Sequence, residues 1–250
     1  MYYFASDIHL RHGDADSARE RERLFVQWLD EVSADAEEIY LLGDIFDFWY
    51  EWREVVPAGF VRVLGKLAEL TDRGITIHFL TGNHDMWMRG YLERECGLKL
   101  YYKPTEFTVG RRHLLLAHGD NINVQDKPAL AFMNAVFRSR VIRALFSWLV
   151  HPDLSMRFGK WWSGSSRKNH TSDERFDKAA APLLKFAEEY PIDRQIDGVV
   201  FGHIHHAGFR TADNGREVWF LGEWTGTPVY GVMDDKDNFS LKPYGKNRER

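Results

Sequence analysis

The sequence predicts an α/β layered fold, on the strength of two alternating patterns. Short apolar runs rich in β-branched residues indicate buried strands, whereas longer segments with apolar residues at helical spacing indicate amphipathic helices. The two kinds of segment alternate in the early part of the chain, as they do where helices pack against a sheet. A length of 250 residues suits one such domain carrying an insertion, and 44% apolar with 28% charged residues is typical of a globular protein.

Five predicted strands are each followed closely by Gly, Asp, Asn or His. They are Tyr2–Ala5, Ile39–Leu42, Ile75–Leu80, Leu114–Ala117 and Val199–Phe201. Helical patterns over Ala18–Val32 and Ala58–Leu70 separate the first three strands. Further strand-like runs at Glu217–Leu221 and Val229–Val232 follow Val199–Phe201, and together these three predict a second sheet.

The stretch from about residue 121 to 196 breaks the alternation. Helical patterns over Ala129–Val150 and Asp173–Glu189 flank a Gly/Ser-rich turn at Ser163–Ser166, so we expect a helical insertion or lid within a single domain spanning residues 1–250. Residues 127–170 carry eight basic side chains and only one acid, Asp153, although the whole chain has a net charge of -4. A basic segment in an acidic protein suggests a local anionic partner.

Composition also limits the class of protein. A single cysteine, Cys96, excludes a disulfide framework and a thiolate metal cluster, and it fits a reducing compartment. No secretory signal follows Met1, and no run approaches the roughly 20 apolar residues of a membrane span. The acidic balance disfavours a nucleic-acid partner. We therefore expect a cytoplasmic protein, soluble or peripheral to a membrane.

Each predicted strand leads into residues that bind divalent metals. The clusters are Asp7-x-His9, Gly43-Asp44-x-x-Asp47, Gly82-Asn83-His84-Asp85, His118-Gly119-Asp120 and Gly202-His203-x-His205. Taken singly, each is more often a turn or a solvated pair. Sites in open α/β sheets form beyond the carboxyl ends of strands, so five clusters in order can converge on one pocket. Alternate residues of an extended segment point the same way, so Asp7 and His9 can share a metal, and the two oxygens of Asp44 can bridge two.

These residue types favour two-metal phosphoester chemistry. Two divalent cations beside only two carboxylates, Asp7 and Asp44, would keep positive charge that activates a water and attracts phosphate. His84 can stabilise the transition state or protonate the leaving group, and Asp85 or a backbone carbonyl can fix its tautomer. Mn²⁺ is the expected ion, and Fe²⁺ and Zn²⁺ accept similar ligands.

The ordered motifs resemble those of the calcineurin-like metallophosphoesterase superfamily over most of the chain outside the insertion. The resemblance implies a two-sheet β-sandwich flanked by helices, in the layer order α-β-β-α. It also implies two ligand sets. One metal would take Asp7, His9, Asp44 and His205, and the other would take Asp44, Asn83, His118 and His203.

A narrower set of residues resembles the UDP-2,3-diacylglucosamine pyrophosphohydrolases of lipid A synthesis. It comprises the segments 43–49, 118–120 and 221–224 together with the helical insertion. That resemblance implies cleavage of a UDP-linked acylated glucosamine to UMP and lipid X, a lid that holds acyl chains, and peripheral contact with the cytoplasmic face of the inner membrane. The implied substrate contacts are Asn83, His84, Asp126, Ser163, Ser166, Arg167 and Lys168.

One position departs from the narrower pattern and keeps other functions open. Members of that enzyme family carry arginine where this chain has His84, so the chain is either a divergent member or a paralogue with another substrate. The main alternative is a soluble phosphodiesterase or phosphatase acting on a nucleotide or another small phosphate. A non-catalytic scaffold of the same fold would have lost metal ligands, yet every expected position is filled. A nuclease is disfavoured by the acidic balance outside the insertion.

Overall fold

The structure is a computed structural model that describes residues 1–11, 16–120, 122, 135–136, 139–166, 173–191 and 194–245. At residues 140, 160–166 and 173–175 only the backbone is described. In this part of the chain, no helix is long and apolar enough to cross a bilayer.

The first sheet has six strands, and all but two of them come from the first half of the chain. Their bounds are β1 (Tyr2–Ala5), β2 (Glu38–Leu42), β3 (Thr76–Leu80), β4 (Lys99–Tyr101), β10 (Val229–Met233) and β11 (Phe239–Pro243). Their order across the sheet is β11-β10-β1-β2-β3-β4. Strands β1 to β4 are parallel, whereas β10 pairs antiparallel with β1, with Tyr2 opposite Met233.

The second sheet has five strands. Their bounds are β5 (Thr105–Val109), β6 (Arg112–Ala117), β7 (Gly198–Phe201), β8 (Ala207–Thr211) and β9 (Glu217–Leu221). They are ordered β5-β6-β7-β9-β8, with β6, β7 and β9 parallel. The prediction of a second sheet was right for β7 and β9 but wrong for Val229–Val232. That run belongs to β10, and its pairing with the far end of the chain leaves no trace in local periodicity.

Six helices accompany the sheets in the described residues. Their bounds are α1 (Asp16–Val32), α2 (Val61–Asp72), α3 (Tyr91–Cys96), α4 (Arg140–Leu149), α5 (Pro152–Ser166) and α6 (Asp173–Glu189). The predicted turn at Ser163–Ser166 is wrong, because α5 continues to Ser166. Glycine costs only about 1 kcal/mol in a helix, and serine less, so two turns of good helix formers can outweigh them.

Side-chain alternation along the strands separates three interiors. On β2, Ile39 and Leu41 pack with α1 and α2, whereas Tyr40 and Leu42 face the second sheet. On β6, Leu114 and Leu116 join this inter-sheet core, and Leu115 packs with the α6 side chains on the outer face. Period-two alternation with both faces apolar is what a sheet covered on both sides requires. The predicted sandwich flanked by helices is confirmed.

The predicted insertion contains two structurally different parts. Helix α6 buries Phe176, Ala180 and Leu183 against the second sheet, so it forms an outer layer of the sandwich. Helices α4 and α5 instead lie over the loops that follow β2 and β3, where Phe146 and Met156 contact an aromatic cluster. We call α4 and α5 the cover.

Candidate metal centre

Loops that follow five strands meet at one edge of the sandwich. β1, β2 and β3 are parallel neighbours, as are β6 and β7, so within each sheet the carboxyl ends lie together. The loops carry seven side chains that the sequence predicts as metal ligands, which we call the ligand cluster. Its members are Asp7, His9, Asp44, Asn83, His118, His203 and His205.

The backbone of the ligand cluster adopts an uncommon conformation. Eight non-glycine residues in the described part of the chain have a positive φ, and five belong to the cluster: Asp7 (54°), His9 (51°), Asp44 (53°), His203 (70°) and His205 (54°). A left-handed residue costs about 1–2 kcal/mol, so it persists where surrounding contacts fix it. The expectation that an extended segment turns Asp7 and His9 to one side is therefore wrong in its geometry. The two side chains meet because the backbone turns sharply.

Asp7, His9 and His205 form the first of two groups of metal-binding atoms. Nε2 of His205 lies 3.1 Å from Oδ1 of Asp7, and Nε2 of His9 lies 3.7 Å from the same oxygen. The two Nε2 atoms are 3.2 Å apart. Oδ2 of Asp7 accepts hydrogen bonds from the Ser6 hydroxyl (2.6 Å) and the His203 backbone amide (2.9 Å). Oδ1 is therefore the oxygen that faces the histidines.

Asp44, Asn83, His118 and His203 form the second group. Nε2 of His118 lies 3.4 Å from Oδ2 of Asp44 and 3.3 Å from Oδ1 of Asn83. Nδ1 of His118 donates to the carbonyl oxygen of Leu42 at 2.7 Å. The ring of His203 lies 5.1 Å from that of His118. Burial and the nearby charge of His118 lower the pKa of His203 to about 4, so this ring is neutral and able to bind a metal.

Outer carboxylates lie beside the first pair of histidines. Nδ1 of His205 lies 3.3 Å from Oε2 of Glu223, and this contact keeps the proton on Nδ1, so Nε2 offers its lone pair to the centre. Nδ1 of His9 lies 3.1 Å from Oδ1 of Asp47, but these two atoms are not aligned for a hydrogen bond. Both acids stand in the sequence motifs, but sequence reasoning gave neither a role. The signal for Asp47 was the last position of Gly-Asp-x-x-Asp, while the contact of Glu223 depends on a loop after β9.

Each group gathers acceptor atoms around one point. With Nδ1 protonated, Nε2 of His9 and Nε2 of His205 face each other as lone pairs at 3.2 Å beside a carboxylate oxygen. Nε2 of His118 faces the amide oxygen of Asn83 in the same way. Such an arrangement repels itself unless a proton or a metal ion lies among the atoms. Nitrogen and oxygen donors without sulfur suit divalent Mn, Fe or Zn, so these residues fit a binuclear metal site.

The charges of the cluster shift the pKa values of its members. Burial lowers the pKa of His205, but contacts of its two ring nitrogens with Asp7 and Glu223 outweigh burial and raise the pKa to about 10. Burial also opposes charge on His118, yet Asp44 holds its pKa well above the usual range. Burial would raise the pKa of Asp7, but the contact with His205 and the nearby charges lower it to about 2. In the metal-free centre, protons therefore occupy two imidazoles that a cation would need.

His84, predicted to act on the substrate, lies beside the ligand cluster. Its Nε2 is 3.8 Å from Oδ2 of Asp44, and its ring meets the ring of His9 edge-on at 5.2 Å. Its Nδ1 donates to the backbone carbonyl of Asp47 at 2.8 Å. Of the two partners that the sequence left open for fixing its tautomer, the structure has the backbone carbonyl, not Asp85. Nε2 of His84 is the atom available for proton transfer.

Asp85, which the sequence predicts to be catalytic, lies below the loops and supports their backbone. It is fully buried, and its carboxylate accepts hydrogen bonds from the backbone amides of Gly82 (2.7 Å), Ile45 (2.9 Å) and Phe46 (3.4 Å). These bonds tie the loop after β2 to the loop after β3. Burial and the neighbouring Asp44 raise the pKa of Asp85 to about 7.

The remaining predicted substrate contacts fall on the insertion. Asp126, Arg167 and Lys168 lie outside the described residues, and so do the side chains of Ser163 and Ser166 at the end of α5. Asn83 and His84, the other two predicted contacts, are at the centre as described above.

Close approach of the loops requires glycine at two points. Gly43 has φ 82°, and a Cβ there would lie 2.5 Å from the amide nitrogen of Gly82 and 2.8 Å from Nδ1 of His118. A Cβ at Gly202 would lie 2.8 Å from Oδ2 of Asp7. Any side chain at these positions would displace a ligand, so the motif glycines act by leaving room.

The cover is attached to the edge of the metal centre by aromatic and polar contacts. Phe48, Tyr50 and Trp52, with Trp87, form an aromatic cluster against α4 and α5. The hydroxyl of Tyr50 donates to the carbonyl oxygen of Arg143 at 3.0 Å and lies 2.7 Å from the Ser147 hydroxyl. The residues directly after the Asp44 motif therefore carry the cover.

The outer side of the cover is apolar and exposed. Trp148 is 83% exposed and Leu149 is 67% exposed. Five further large apolar side chains of these two helices are between 40% and 69% exposed: Val141, Ile142, Leu145, Leu154 and Phe158. An exposed apolar surface of this kind marks an interaction surface.

Known proteins match this chain over most of its length. Residues 2–207 match the sequence model of a family described as calcineurin-like phosphoesterase. A Porphyromonas gingivalis protein named UDP-2,3-diacylglucosamine hydrolase is 35% identical over 248 residues, covering 93% of each chain. A Hahella chejuensis protein of the same name is 32% identical over 246 residues, covering 95% of each. A dimetal phosphatase from Danio rerio overlaps with a TM-score of 0.44 at 14% identity, over 98% of this chain and 95% of that one.

Proposed function

Because the chain belongs to the calcineurin-like phosphoesterase family, we propose that it hydrolyses the pyrophosphate bond of UDP-2,3-diacylglucosamine or a close analogue, releasing UMP and a 2,3-diacylglucosamine 1-phosphate. The observation that carries the chemistry is the convergence of two groups of lone-pair atoms at 3.1–3.4 Å in one buried centre. The substrate is supported by relatives of that name, one of them 35% identical over 93% of this chain.

The ligand cluster divides between two ions in this proposal. Asp7, His9, Asp44 and His205 hold one, and Asp44, Asn83, His118 and His203 hold the other. In support, oxygen or nitrogen atoms of Asp7, Asp44 and His118 lie within 4.8 Å of one another, so Asp44 can serve both. When bound, two divalent ions, which we propose to be Mn²⁺, would lower the pKa of a water and neutralise phosphoryl oxygens.

The protein's own residues then orient the substrate and move a proton. Asn83 lies at the edge of the centre, half-buried, where its amide can also contact a phosphoryl oxygen. Nδ1 of His84 keeps its proton, which it donates in a hydrogen bond to the carbonyl oxygen of Asp47. Nε2 is therefore the position that donates to the leaving oxygen when the ring is cationic. The arginine of related enzymes could supply charge at this place but not a transferable proton at neutral pH.

The cover, α4 and α5, lies over the loops of the site and receives the acyl chains in this proposal. Exposed Trp148 and Leu149 on α4 support contact with the surface of a membrane, which would place the enzyme at the cytoplasmic face of the inner membrane. Basic residues of the insertion would favour anionic headgroups.

The test is release of UMP from UDP-2,3-diacylglucosamine by metal-stripped protein, with and without added Mn²⁺. Metal-dependent UMP formation is the expected result. A protein that ignores this substrate yet cleaves bis(p-nitrophenyl) phosphate with Mn²⁺ would support the alternative, a phosphodiesterase or phosphatase on a small phosphate, and would contradict the lipid assignment.

A further inference from the structure

Glu51 is a buried carboxylate outside the ligand cluster, and it forms no ion pair with a described residue. It is only 1% exposed and lies on the segment that leaves the metal centre after the Asp44 motif. A buried charge without a cation is costly unless hydrogen bonds surround it. Three N–H groups donate to the two oxygens of Glu51, so the carboxylate is fixed in place, and its bonds show what it holds together.

The hydrogen bonds of Glu51 join two loops. Its Oε1 accepts from Nε1 of Trp49 at 3.0 Å. Its Oε2 accepts from the backbone amide of Tyr91 at 3.1 Å and from that of Arg89. The backbone amide of Glu51 itself donates to the carbonyl oxygen of Trp87 at 3.0 Å. The loop after β2 is therefore tied to the loop after β3 at the start of α3.

The same two loops meet at His84, on the side of the metal centre. Nδ1 of His84 donates to the carbonyl oxygen of Asp47 at 2.8 Å, and the backbone amide of Trp49 donates to the carbonyl oxygen of His84 at 3.1 Å. Between these bonds and Glu51 the two chains pair in parallel. We give the name loop ladder to the two paired segments, 47–51 and 84–91. His84 lies at one end of the loop ladder, and the carboxylate of Glu51 closes the other.

Helix α4 of the cover contacts both segments of the loop ladder. On one segment, the hydroxyl of Tyr50 donates to the carbonyl oxygen of Arg143 at 3.0 Å. On the other, the carbonyl oxygen of Met88 accepts from Nη1 of Arg143 at 3.4 Å. Nη2 of Arg89 also donates to the hydroxyl of Ser147 at 3.1 Å. A continuous path of contacts therefore runs from the cover through the loop ladder to the metal centre.

We propose that Glu51 is a positioning residue that holds the two segments of the loop ladder together, so that His84 keeps its place at the metal centre and the cover keeps its place over it. Without the carboxylate, the buried amides of Arg89 and Tyr91 lose their acceptor, which favours separation of the segments. A group displaced by about 1 Å can lose about a hundredfold in rate. The inference rests on the proposed function for the task of His84, but the connection of Glu51 to the cover does not rest on it.

Glu22 provides a matched control for Glu51. It too is a buried carboxylate, 9% exposed, and its Oε1 accepts from the backbone amides of Arg62 (3.2 Å) and Val63 (3.4 Å). These bonds join α1 to α2 and involve no residue of the loop ladder. Glutamine at either position keeps the shape but replaces one acceptor oxygen by an NH₂ group, which cannot accept a hydrogen bond. Glu51→Gln and Glu22→Gln should therefore lower the Tm by similar amounts.

The experiment measures three properties of wild type and both variants loaded with Mn²⁺. They are kcat and KM for UDP-2,3-diacylglucosamine, metal content per chain, and peptide hydrogen exchange followed by mass spectrometry. In Glu51→Gln we expect kcat to fall about ten- to a hundredfold because His84 moves, and KM to rise because the cover loosens. Exchange should become faster in the loop ladder and in α4, with metal content as in wild type. In Glu22→Gln we expect kcat, KM and exchange in those segments to match wild type.

The comparison of the two variants can overturn the proposal. Equal changes of kcat and KM in Glu51→Gln and Glu22→Gln would mean that Glu51 contributes to stability alone. Faster exchange in α4 with unchanged kcat would show that His84 keeps its place without Glu51, and loss of metal would show that the variant disturbs the ligand cluster. Each of these results contradicts the assignment. If Glu51→Gln does not fold, Trp49→Phe, which removes only the donor to Oε1 and retains an aromatic ring, is measured against the same expectations.

Hydrogen exchange separates this inference from the proposed function. A wild-type protein inactive on the UDP-lipid would contradict the proposed function, whatever Glu51 does. Faster exchange in the loop ladder and α4 of Glu51→Gln, but not of Glu22→Gln, would then still support the connection of Glu51 to the cover. Equal exchange in the two variants would refute that connection even in a protein that releases UMP.

Discussion

The metal centre and the cover are built by different means. Imidazoles of the centre are buried or half-buried, and outer oxygen atoms orient some of them, as Glu223 does His205 and the carbonyl of Leu42 does His118. The cover lies on a small aromatic cluster and turns Trp148 to solvent. In the proposed function, polar contacts at fixed distances determine which reaction the centre catalyses, whereas the adaptable apolar surface of the cover determines which substrate reaches it. Changes at the two places should therefore separate chemistry from substrate choice.

The largest effect is expected where both groups of the metal centre depend on one side chain. Asp44→Ala should reduce turnover of UDP-2,3-diacylglucosamine and of bis(p-nitrophenyl) phosphate to the rate of the buffer control, because Asp44 is the shared carboxylate. Metal content per chain, measured by elemental analysis, should fall as well. Asp72→Ala, which removes an exposed acid at the end of α2, is the matched control. Substantial activity in Asp44→Ala would end the two-metal interpretation.

Sequence alone predicted that these side chains come together in one centre but not how they meet. The motif placed Asp7, His9 and Asp44 in one site, yet all three have left-handed backbone conformations, which residue identity outside glycine does not signal. Partners that lie far apart in the chain were also missed, because residue identity does not indicate which distant strands pair. Glu223 meets His205 only because β9 lies next to β7, and β10 joins β1 through residues at opposite ends of the chain.

The insertion illustrates the opposite limit. Helical spacing predicted its helices, and α6 has the predicted bounds. The predicted helix Ala129–Val150 is wrong in its length, because Ser139 is extended and α4 covers only Arg140–Leu149. The pattern did not predict that α6 packs into the sandwich while α4 lies over the site. An amphipathic pattern indicates that one face of a helix is buried, but it does not indicate which part of the protein that face packs against.

Proton release should sharpen the description of the metal centre. The pKa of His205 is raised to about 10 and that of His118 well above its usual range, so both rings carry a proton at neutral pH in the metal-free protein. A metal requires both neutral, so binding should release up to about two protons and apparent affinity should rise with pH, up to about a hundredfold per unit between pH 6 and 7. Mn²⁺ calorimetry in buffers of different ionisation enthalpy measures the count. Affinity independent of pH would show that the two imidazoles are already neutral.

A smaller effect on the same centre is expected from an outer carboxylate. Glu223→Gln keeps the shape of the side chain but weakens the hold on Nδ1 of His205, which lies 3.3 Å away. Loss of such a partner lowers metal affinity by about 10–100-fold. The measurement is a Mn²⁺ titration followed by activity at saturating metal, where most of the lost rate should return. Unchanged affinity would mean that the orientation of His205 is fixed without Glu223.

Loosening the cover should affect substrate choice more than chemistry. Tyr50→Phe removes the hydroxyl that contacts Arg143 and Ser147 of α4, at an expected cost of about 1 kcal/mol in the free energy of unfolding. We expect kcat/KM for the UDP-lipid to fall several-fold and that for the small diester to change little. Equal losses on both substrates would show that the Tyr50 contact supports the metal centre itself.

The smallest effect on stability is expected on the exposed side of the cover. Trp148 is 83% exposed, so Trp148→Ala should leave the free energy of unfolding within about 0.5 kcal/mol of wild type. If the exposed side of α4 contacts a lipid surface, the same variant should bind anionic phospholipid vesicles more weakly in a sedimentation assay, with bis(p-nitrophenyl) phosphate turnover retained. Val61→Ala, at a 75% exposed apolar position on α2, tests whether any exposed apolar residue has this effect. If Val61→Ala weakens vesicle binding as much as Trp148→Ala does, the cover is not the part of the protein that contacts the membrane. Its exposed face would then be a surface for the acyl chains of the substrate alone.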